Sequence, residues 1–354
     1  MKDRISHLTE LIALAGVSGY ETPVRQALET VWEPLVDEIS VSRVGSLHAL
    51  KRGERTDPRP RVALSAHMDG VGLMVTEVKD GFLHVTSVGG LDARILLSQP
   101  VIVHGSRELE GVVVMPSPRQ LPDELARKPV PMNYLLVETG LSAASLEKLV
   151  QPGDVVSFAQ EPMVLDGDFV AGHSLDNRAS VAAITVCLDE LQKLRHKWDV
   201  WALATVGEEF NHLGGRTSPF EVQPDLAVVI DVTYGEGPGA SGFNVYPLES
   251  GPAIGWGPTA HPMLYKRFKQ LAEEMEMPWR KDVLPRLSWT ETDDMQLVGV
   301  GIPTILLSIP LRYMHTPVEM IGWKDVERTG RLMAQFVAGL PLDFLENMRW
   351  DDEA

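Results

Sequence analysis

Residues 179–209 read ASVAAITVCLDELQKLRHKWDVWALATVGEE. The first half predicts an amphipathic helix, and DVWALATV after it predicts an apolar strand that runs straight into the carboxylate pair Glu208-Glu209. The same alternation continues downstream. Strand DLAVVID (225–231) precedes a Gly-rich loop and a helix around KRFKQLAEEME (266–276). Strand PTILLSI (303–309) then precedes a final helix, VERTGRLMAQFVAGL (326–340). Apolar strands alternating with amphipathic helices imply an α/β fold, with a mostly parallel sheet covered by helices on both faces.

Upstream, Ile5, Leu8, Ile12 and Ala15 recur at helical spacing. Thr22-Pro23 reads as an N-cap followed by proline at the first helical position. EISVSRVGSLHALKRG (38–53) predicts a strand pair, and RVALSAH (61–67) a short buried strand. Residues 70–164 have another texture. VGLMVTEVKDGFLHVTSVGG (71–90) is a hairpin turning at Lys79-Asp80-Gly81, and QPVIVHGSRELEGVVVMPS (99–117) and VQPGDVVSF (150–158) add strands. Only SAASLEKLV (142–150) has helical character, and residues 116–131 hold five prolines in what reads as an exposed loop. The organisation expected is a catalytic domain from residues 1–69 and 165–354, interrupted by a small, mostly β domain over 70–164.

Composition removes several function classes. The chain has 354 residues, with 49 acidic against 32 basic side chains and a formal charge of −17, the wrong sign for neutralising nucleic-acid phosphates. The single cysteine, Cys187, excludes an intrachain disulfide framework and thiolate zinc clusters. No apolar run approaches the ~18 residues of a membrane span. Glu10 and the helical period argue against a secretory signal, so the expected compartment is the cytoplasm. A serine hydrolase lacks its G-x-S-x-G elbow here.

The chemistry lies at the strand ends. RVALSA ends in His67 with Asp69 two residues on, DVWALATV in Glu208-Glu209, DLAVVI in Asp231, and PTILLSIP runs on to His315. Asp176, in GHSLDNRAS, stands just ahead of a helix. Each has an ordinary reading alone: Asp176 as a helix N-cap, Asp231 capping a turn, the glutamates as a solvated loop. Open α/β sheets bind ligands at the carboxyl ends of their strands, and five segments here bring histidine or carboxylate to that edge. The set exceeds what one catalytic zinc uses and suits two divalent cations sharing a carboxylate. Asp69 is placed to hold the His67 ring and fix its tautomer. Two cations about 3.5–4 Å apart share a water and polarise a carbonyl, and one glutamate takes the proton. Division of labour between Glu208 and Glu209 follows if they lie on an extended segment, where neighbouring side chains face opposite ways. His212 is expected at the surface.

These segments resemble the M42 family of metallo-aminopeptidases, the tetrahedral aminopeptidases. The likeness covers nearly the whole chain: GVSGYE, SAHMDGVGLMV, SVGGLDARILLSQPV, PGDVVSF, GHSLDNRAS, VGEEF, VIDVT and GIPTILLSIPLRYMHTPVE. Gly70 and Asn177 stand where many relatives carry acidic residues. The resemblance implies an exopeptidase-like catalytic domain with an inserted β-barrel that mediates dimers, assembling into hollow dodecamers. It implies zinc or cobalt held by His67, Asp176 and Asp231 at one site and by Asp176, Glu209 and His315 at the other. Asp176 would bridge, and Glu208 would be the general base for hydrolysis at the N-terminus of short unblocked peptides. Two alternatives remain at this point: a related di-metal deacylase or carboxypeptidase, and a catalytically silent metal-binding assembly protein.

Overall fold

A computed structural model describes residues 4–54, 59–125 and 128–350. The chain opens with helices α1 (Arg4–Ile12) and α2 (Thr22–Trp32), then strands β1 (Glu38–Val41), β2 (Leu47–Lys51) and β3 (Arg61–His67). Thr22 is already helical, so α2 starts one residue earlier than its Thr-Pro signature suggested. Glu21 stands at the N-cap, and its carboxylate accepts from Gly19 N (2.8 Å) and Gly207 N (3.1 Å) and caps no helical N–H.

Six strands follow: β4 (Gly72–Lys79), β5 (Phe82–Val88), β6 (Pro100–His104), β7 (Glu108–Val114), β8 (Leu136–Glu138) and β9 (Val155–Phe158), with the short helix α3 (Ala143–Leu146) before the last. They close into a barrel in the order β4-β5-β8-β7-β6-β9 around a core of their own, including Val75, Leu83, Val103, Val137 and Phe158. Asp80 and Gly81 both take positive φ, the two-residue turn whose twist suits a hairpin. The proline-rich segment carries only short 3₁₀ turns, and its Ala126 and Arg127 lie outside the described residues.

The chain then returns to the first sheet with β10 (Met163–Leu165) and β11 (Phe169–Gly172), helix α4 (Leu175–Glu190), β12 (Asp199–Thr205), α5 (Glu208–Asn211) and α6 (Leu213–Val222). It continues through β13 (Leu226–Tyr234), β14 (Ala253–Trp256), α7 (Pro262–Glu274), β15 (Arg280–Val283) and α8 (Thr292–Met295). It closes with β16 (Thr304–Arg312), β17 (Glu319–Gly322) and α9 (Trp323–Gly339). The sheet order is β1-β2-β12-β3-β13-β16-β17-β11-β10, with β14 and β15 branching from β16. The expected α/β architecture is present, with parallel pairing concentrated at its centre: β12, β3, β13 and β16 run parallel, and both margins are antiparallel. Helical crossovers join the central strands, whereas tight connections such as 42–46 and 166–168 force their neighbours to reverse.

Strand periodicity sorts the two faces. Val62, Leu64 and Ala66 of β3, with Val228 and Ile230 of β13, pack into the large core under α4 and α9. Ala63, Ala227 and Val229 point the other way, into a smaller core with Val222 and Met295. Gly330 lets α9 press onto α4, since a Cβ there would stand 2.5 Å from the Ala183 carbonyl. His67 and Asp231 share the parity of Ala63 and Ala227, so side-chain alternation alone puts both on the smaller-core face. No helix among the described residues is long and apolar enough to cross a membrane.

Candidate metal centre

At the carboxyl edge of the parallel strands, the structure brings His67, Asp176, Glu208, Glu209, Asp231 and His315 together. Asp176 stands in the middle: its Oδ1 is 3.2 Å from His67 Nε2 and its Oδ2 3.4 Å from His315 Nε2. His67 Nε2 also lies 3.6 Å from Glu208 Oε2 and 3.8 Å from Asp231 Oδ1, while His315 Nε2 lies 3.3 Å from Glu209 Oε2. The donor atoms form two sets, His67–Glu208–Asp231 and Asp176–Glu209–His315, each within 4.8 Å of one another.

Local backbone explains how each side chain arrives. Asp176 and Asn177 have non-helical dihedrals inside the first turn of α4, and the peptide between them is cis. The Asn177 amide donates to Ile230 O (2.9 Å), which leaves Asp176 directed at the sheet edge. Gly70 leaves room for Ser174 Oγ, which would lie 2.7 Å from a Cβ there. Asp231 is not terminal as its strand pattern suggested; β13 runs on to Tyr234 because its ladder with β16 continues to Leu311. Glu208 and Glu209 open the helical turn α5 and do not lie on an extended segment. Their divergence is therefore the roughly 100° step of a helix. That turn is set by Asp69, whose carboxylate accepts from Glu208 N (3.1 Å), Glu209 N (3.2 Å) and Ser18 Oγ (2.6 Å). Asp69 also faces His67 Nδ1, at 3.4 Å from Oδ1 and 3.3 Å from its carbonyl, which turns Nε2 inward.

Several supporting groups escaped the sequence reading. Glu319 is fully buried and accepts from both Asp176 N (3.0 Å) and His315 N (2.7 Å). Its signal was the glutamate four residues beyond His315 in HTPVE. The barrel loop contributes the Gly90 carbonyl, which accepts from His315 Nδ1 (2.8 Å). His212, expected at the surface, packs inward because α5 ends at it in a left-handed conformation. Its Nε2 is 3.4 Å from Glu208 Oε1 and its Nδ1 2.5 Å from Asp294 Oδ2. Arg178 is wholly buried and donates to the carbonyls of Leu11 (2.8 Å), Leu14 (2.6 Å), Met68 (3.2 Å) and Gly16 (3.4 Å), capping the end of α1 beneath the site.

The electrostatics are those of a site with excess negative charge. Asp69, Asp176, Glu208, Glu209, Asp231, Glu291 and Glu319 crowd around two imidazoles and the Arg178 guanidinium. Burial pushes the Glu208 carboxyl up to about 10, against the pull of His67 and with the repulsion of Asp231 and Glu209. Burial and Asp176 likewise raise Glu319 well above the ordinary carboxylate range, and burial raises Asp231. Burial disfavours the His315 imidazolium, but Asp176 and Glu209 outweigh it and carry its pKa up to about 12. Glu209 Oε1 is buried without a hydrogen-bond partner. Inward-turned Nε2 atoms, converging carboxylates and an orphaned buried oxygen fit divalent cations, and the absence of thiolate fits a catalytic rather than a closed structural centre.

The centre opens into a cavity of about 620 Å³ bounded by Asp231, His315, Tyr234, Phe243 and the 283–290 segment. The sequence profile of the M42 glutamyl aminopeptidases matches residues 45–332. A lysyl aminopeptidase of Pyrococcus furiosus is 30% identical over 346 residues, 95% of this chain and 98% of that protein. A TET aminopeptidase from a marine sediment archaeon of the Thaumarchaeota superposes with a TM-score of 0.92 at 24% identity, over 98% of this chain and 99% of that one. The TET1 peptidase of Pyrococcus horikoshii, which assembles into a tetrahedron or a large octahedral shell, superposes with a TM-score of 0.83 at 26% identity, over 96% and 100% of the two chains.

Proposed function

The chain belongs to the M42 family of aminopeptidases, and from that premise we propose that it removes N-terminal residues from short unblocked peptides at a two-cation centre. One observation carries the reading: the Asp176 carboxylate lies between two imidazoles, with Glu208 and Asp231 beside His67 and Glu209 beside His315. His67, Asp176 and Asp231 would hold one cation, and Asp176, Glu209 and His315 the other. Imidazole and carboxylate suit zinc or cobalt. When bound, the cations supply the Lewis acidity that polarises the scissile carbonyl and makes water acidic enough to attack.

The protein's own groups do the rest. Burial raises the Glu208 carboxyl, but two cations beside it would favour its ionised form, and in that form it takes the proton from the attacking water and returns it to the departing amine. His212, itself held by Asp294, fixes the rotamer of Glu208 from the side away from His67. Asp69 holds the His67 ring and the turn that carries both glutamates. The surplus carboxylates around the centre accept the free ammonium of the substrate. We assign residues 1–69 and 165–354 to the catalytic domain and 70–164 to the inserted domain, through which dimers build into a dodecameric shell in the cytoplasm.

The test is release of free amino acids from a panel of unblocked peptides and their N-acetylated twins, with zinc, with cobalt and with chelator. Metal-dependent cleavage of the unblocked set alone is the expected result. Cleavage of the blocked set would replace the reading with a deacylase or carboxypeptidase. Silence on both, with cations bound, would leave a metal-binding assembly protein.

A further inference from the structure

One helical turn supports both the wall of the cavity and the general base. α8 (Thr292–Met295) follows directly on the segment that borders the cavity, and its two adjacent aspartates serve different neighbours. Asp293 holds the wall: its Oδ1 accepts from Ser288 N (3.0 Å) and Ser288 Oγ (2.9 Å), and its Oδ2 from Trp289 N (2.8 Å). Asp294 holds the base. Its Oδ2 accepts from His212 Nδ1 (2.5 Å), and the Nε2 of that ring stands 3.4 Å from Glu208 Oε1. Arg216 Nε braces the other Asp294 oxygen at 3.0 Å. Glu208 and Trp289 border the same cavity, so the contacts that begin at its wall return to it at the base.

The root of this turn is fixed, and its two ends are not. Glu291, just ahead of α8, is buried and accepts from Ser65 Oγ of β3 (3.0 Å). It lies against α6 at Gly215, where a Cβ would stand 2.8 Å from that of Glu291. Trp289, by contrast, is 77% exposed and takes a φ of 59°, and His212 takes a φ of 58°. Both are left-handed conformations that a bulky side chain adopts only when its surroundings impose them. Glu208 is held loosely: its carboxylate oxygens stand 3.4 Å from His212 and 3.6 Å from His67, beyond the roughly 2.7–3.2 Å of a formed hydrogen bond. An advance of His212 by about 0.5 Å closes the first gap, and catalytic hydrogen bonds commonly tighten only when substrate is bound.

We propose that α8 makes the aim of Glu208 depend on whether the cavity is filled. A substrate side chain that covers the Trp289 ring draws the 288–290 turn inward, and Asp293, Asp294 and His212 carry the movement to the Glu208 carboxylate. These three are positioning residues, since none touches the reacting atoms. Binding energy gained at the side chain is then used in the chemical step, so a residue too small to reach Trp289 loses kcat more than it raises KM. The inference rests on the aminopeptidase reading and adds how its general base is placed by the substrate.

The experiment measures kcat and KM for the 4-nitroanilides of glycine, leucine, phenylalanine, lysine and glutamate with zinc- or cobalt-loaded protein. The best large residue should exceed glycine about tenfold or more in kcat. Trp289→Ala and Asp294→Ala should each cut that ratio to about threefold or less, and the double variant should lose no more of it than either alone, as one shared path requires. Asp294→Asn keeps an acceptor for the Nδ1 proton of His212 and should retain at least about a third of the ratio. Amide hydrogen exchange, with the amides of the same large residues bound and glycinamide as control, is the second readout. Exchange over residues 207–216 should slow about threefold or more in wild type and not in Asp294→Ala, while residues 287–290 are protected in both. Additive losses, an equal fall on every substrate in Asp294→Ala, or a large-residue advantage held in KM alone overturns the inference and leaves the peptidase intact. If no nitroanilide is cleaved, the aminopeptidase reading fails by itself. Exchange then decides the link: protection that spreads to 207–216 upholds it, and protection confined to 287–290, or none, overturns it.

Discussion

Glu319→Gln is the sharpest test of how the centre is built. Both carboxylate oxygens of Glu319 accept backbone N–H groups, one from Asp176 and one from His315. A glutamine has the same shape but only one acceptor, so either rotamer sets its NH₂ against one of those donors. The lost charge-assisted bond is worth about 1.5–3 kcal/mol, and a stranded buried N–H adds about 1–3 kcal/mol. The sum, about 2.5–6 kcal/mol, can be read as a melting shift. An unfolding entropy of roughly 2.1 cal/mol/K per residue over 354 residues gives about 0.7 kcal/mol/K, hence a fall in Tm of about 3–8 °C. Because the two N–H groups belong to Asp176 and His315, zinc affinity should fall about 10–100-fold as well. Calorimetric melting of the metal-free protein at alkaline pH, where the raised Glu319 carboxyl is ionised, and zinc titration measure the two effects separately. A variant that melts within 1 °C of wild type and binds zinc equally well would refute the view that Glu319 orients the centre.

Three further substitutions probe distinct parts. Glu208→Gln should keep its cations by elemental analysis and lose at least about a thousandfold in kcat, the scale of general acid–base catalysis; near-normal turnover assigns the base elsewhere. Asp176→Ala should reduce bound cations from two per chain to fewer than one, and retention of both removes it as the bridge. Arg178→Met leaves four carbonyls facing an apolar side chain. Urea unfolding should show a loss of about 3–5 kcal/mol, and an unchanged midpoint would mean those contacts contribute nothing net.

His67 and Asp231 were legible as polar residues that interrupt apolar strand runs, although β13 continues three residues beyond Asp231. The barrel hairpin was legible for a similar reason, since Asp80-Gly81 encodes its own turn. What the sequence did not disclose depends on contacts between distant segments. The helix of α4 is strongly written from Ala179 onward, yet the irregular turn at Asp176-Asn177 is held by Ile230, 53 residues from Asn177, and Glu319, 143 residues from Asp176. Glu208 and Glu209 looked extended because they continue a strand. Their helical turn forms because Asp69, 139 residues from Glu208, accepts both N–H groups. His212 looked like a surface histidine until Asp294 was brought beside it.

The hydrogen bond from His315 to Gly90 joins two parts of the molecule that have separate hydrophobic cores. One donor of the centre is steered by the large sheet and oriented by the barrel. Linkage then acts in both directions: any preference of a bound cation for the oriented His315 is also free energy that holds the barrel in place. Stripping the metal should loosen the seam between the two bodies as well as silence the chemistry, and a partner that grips the barrel would tune metal retention from a distance.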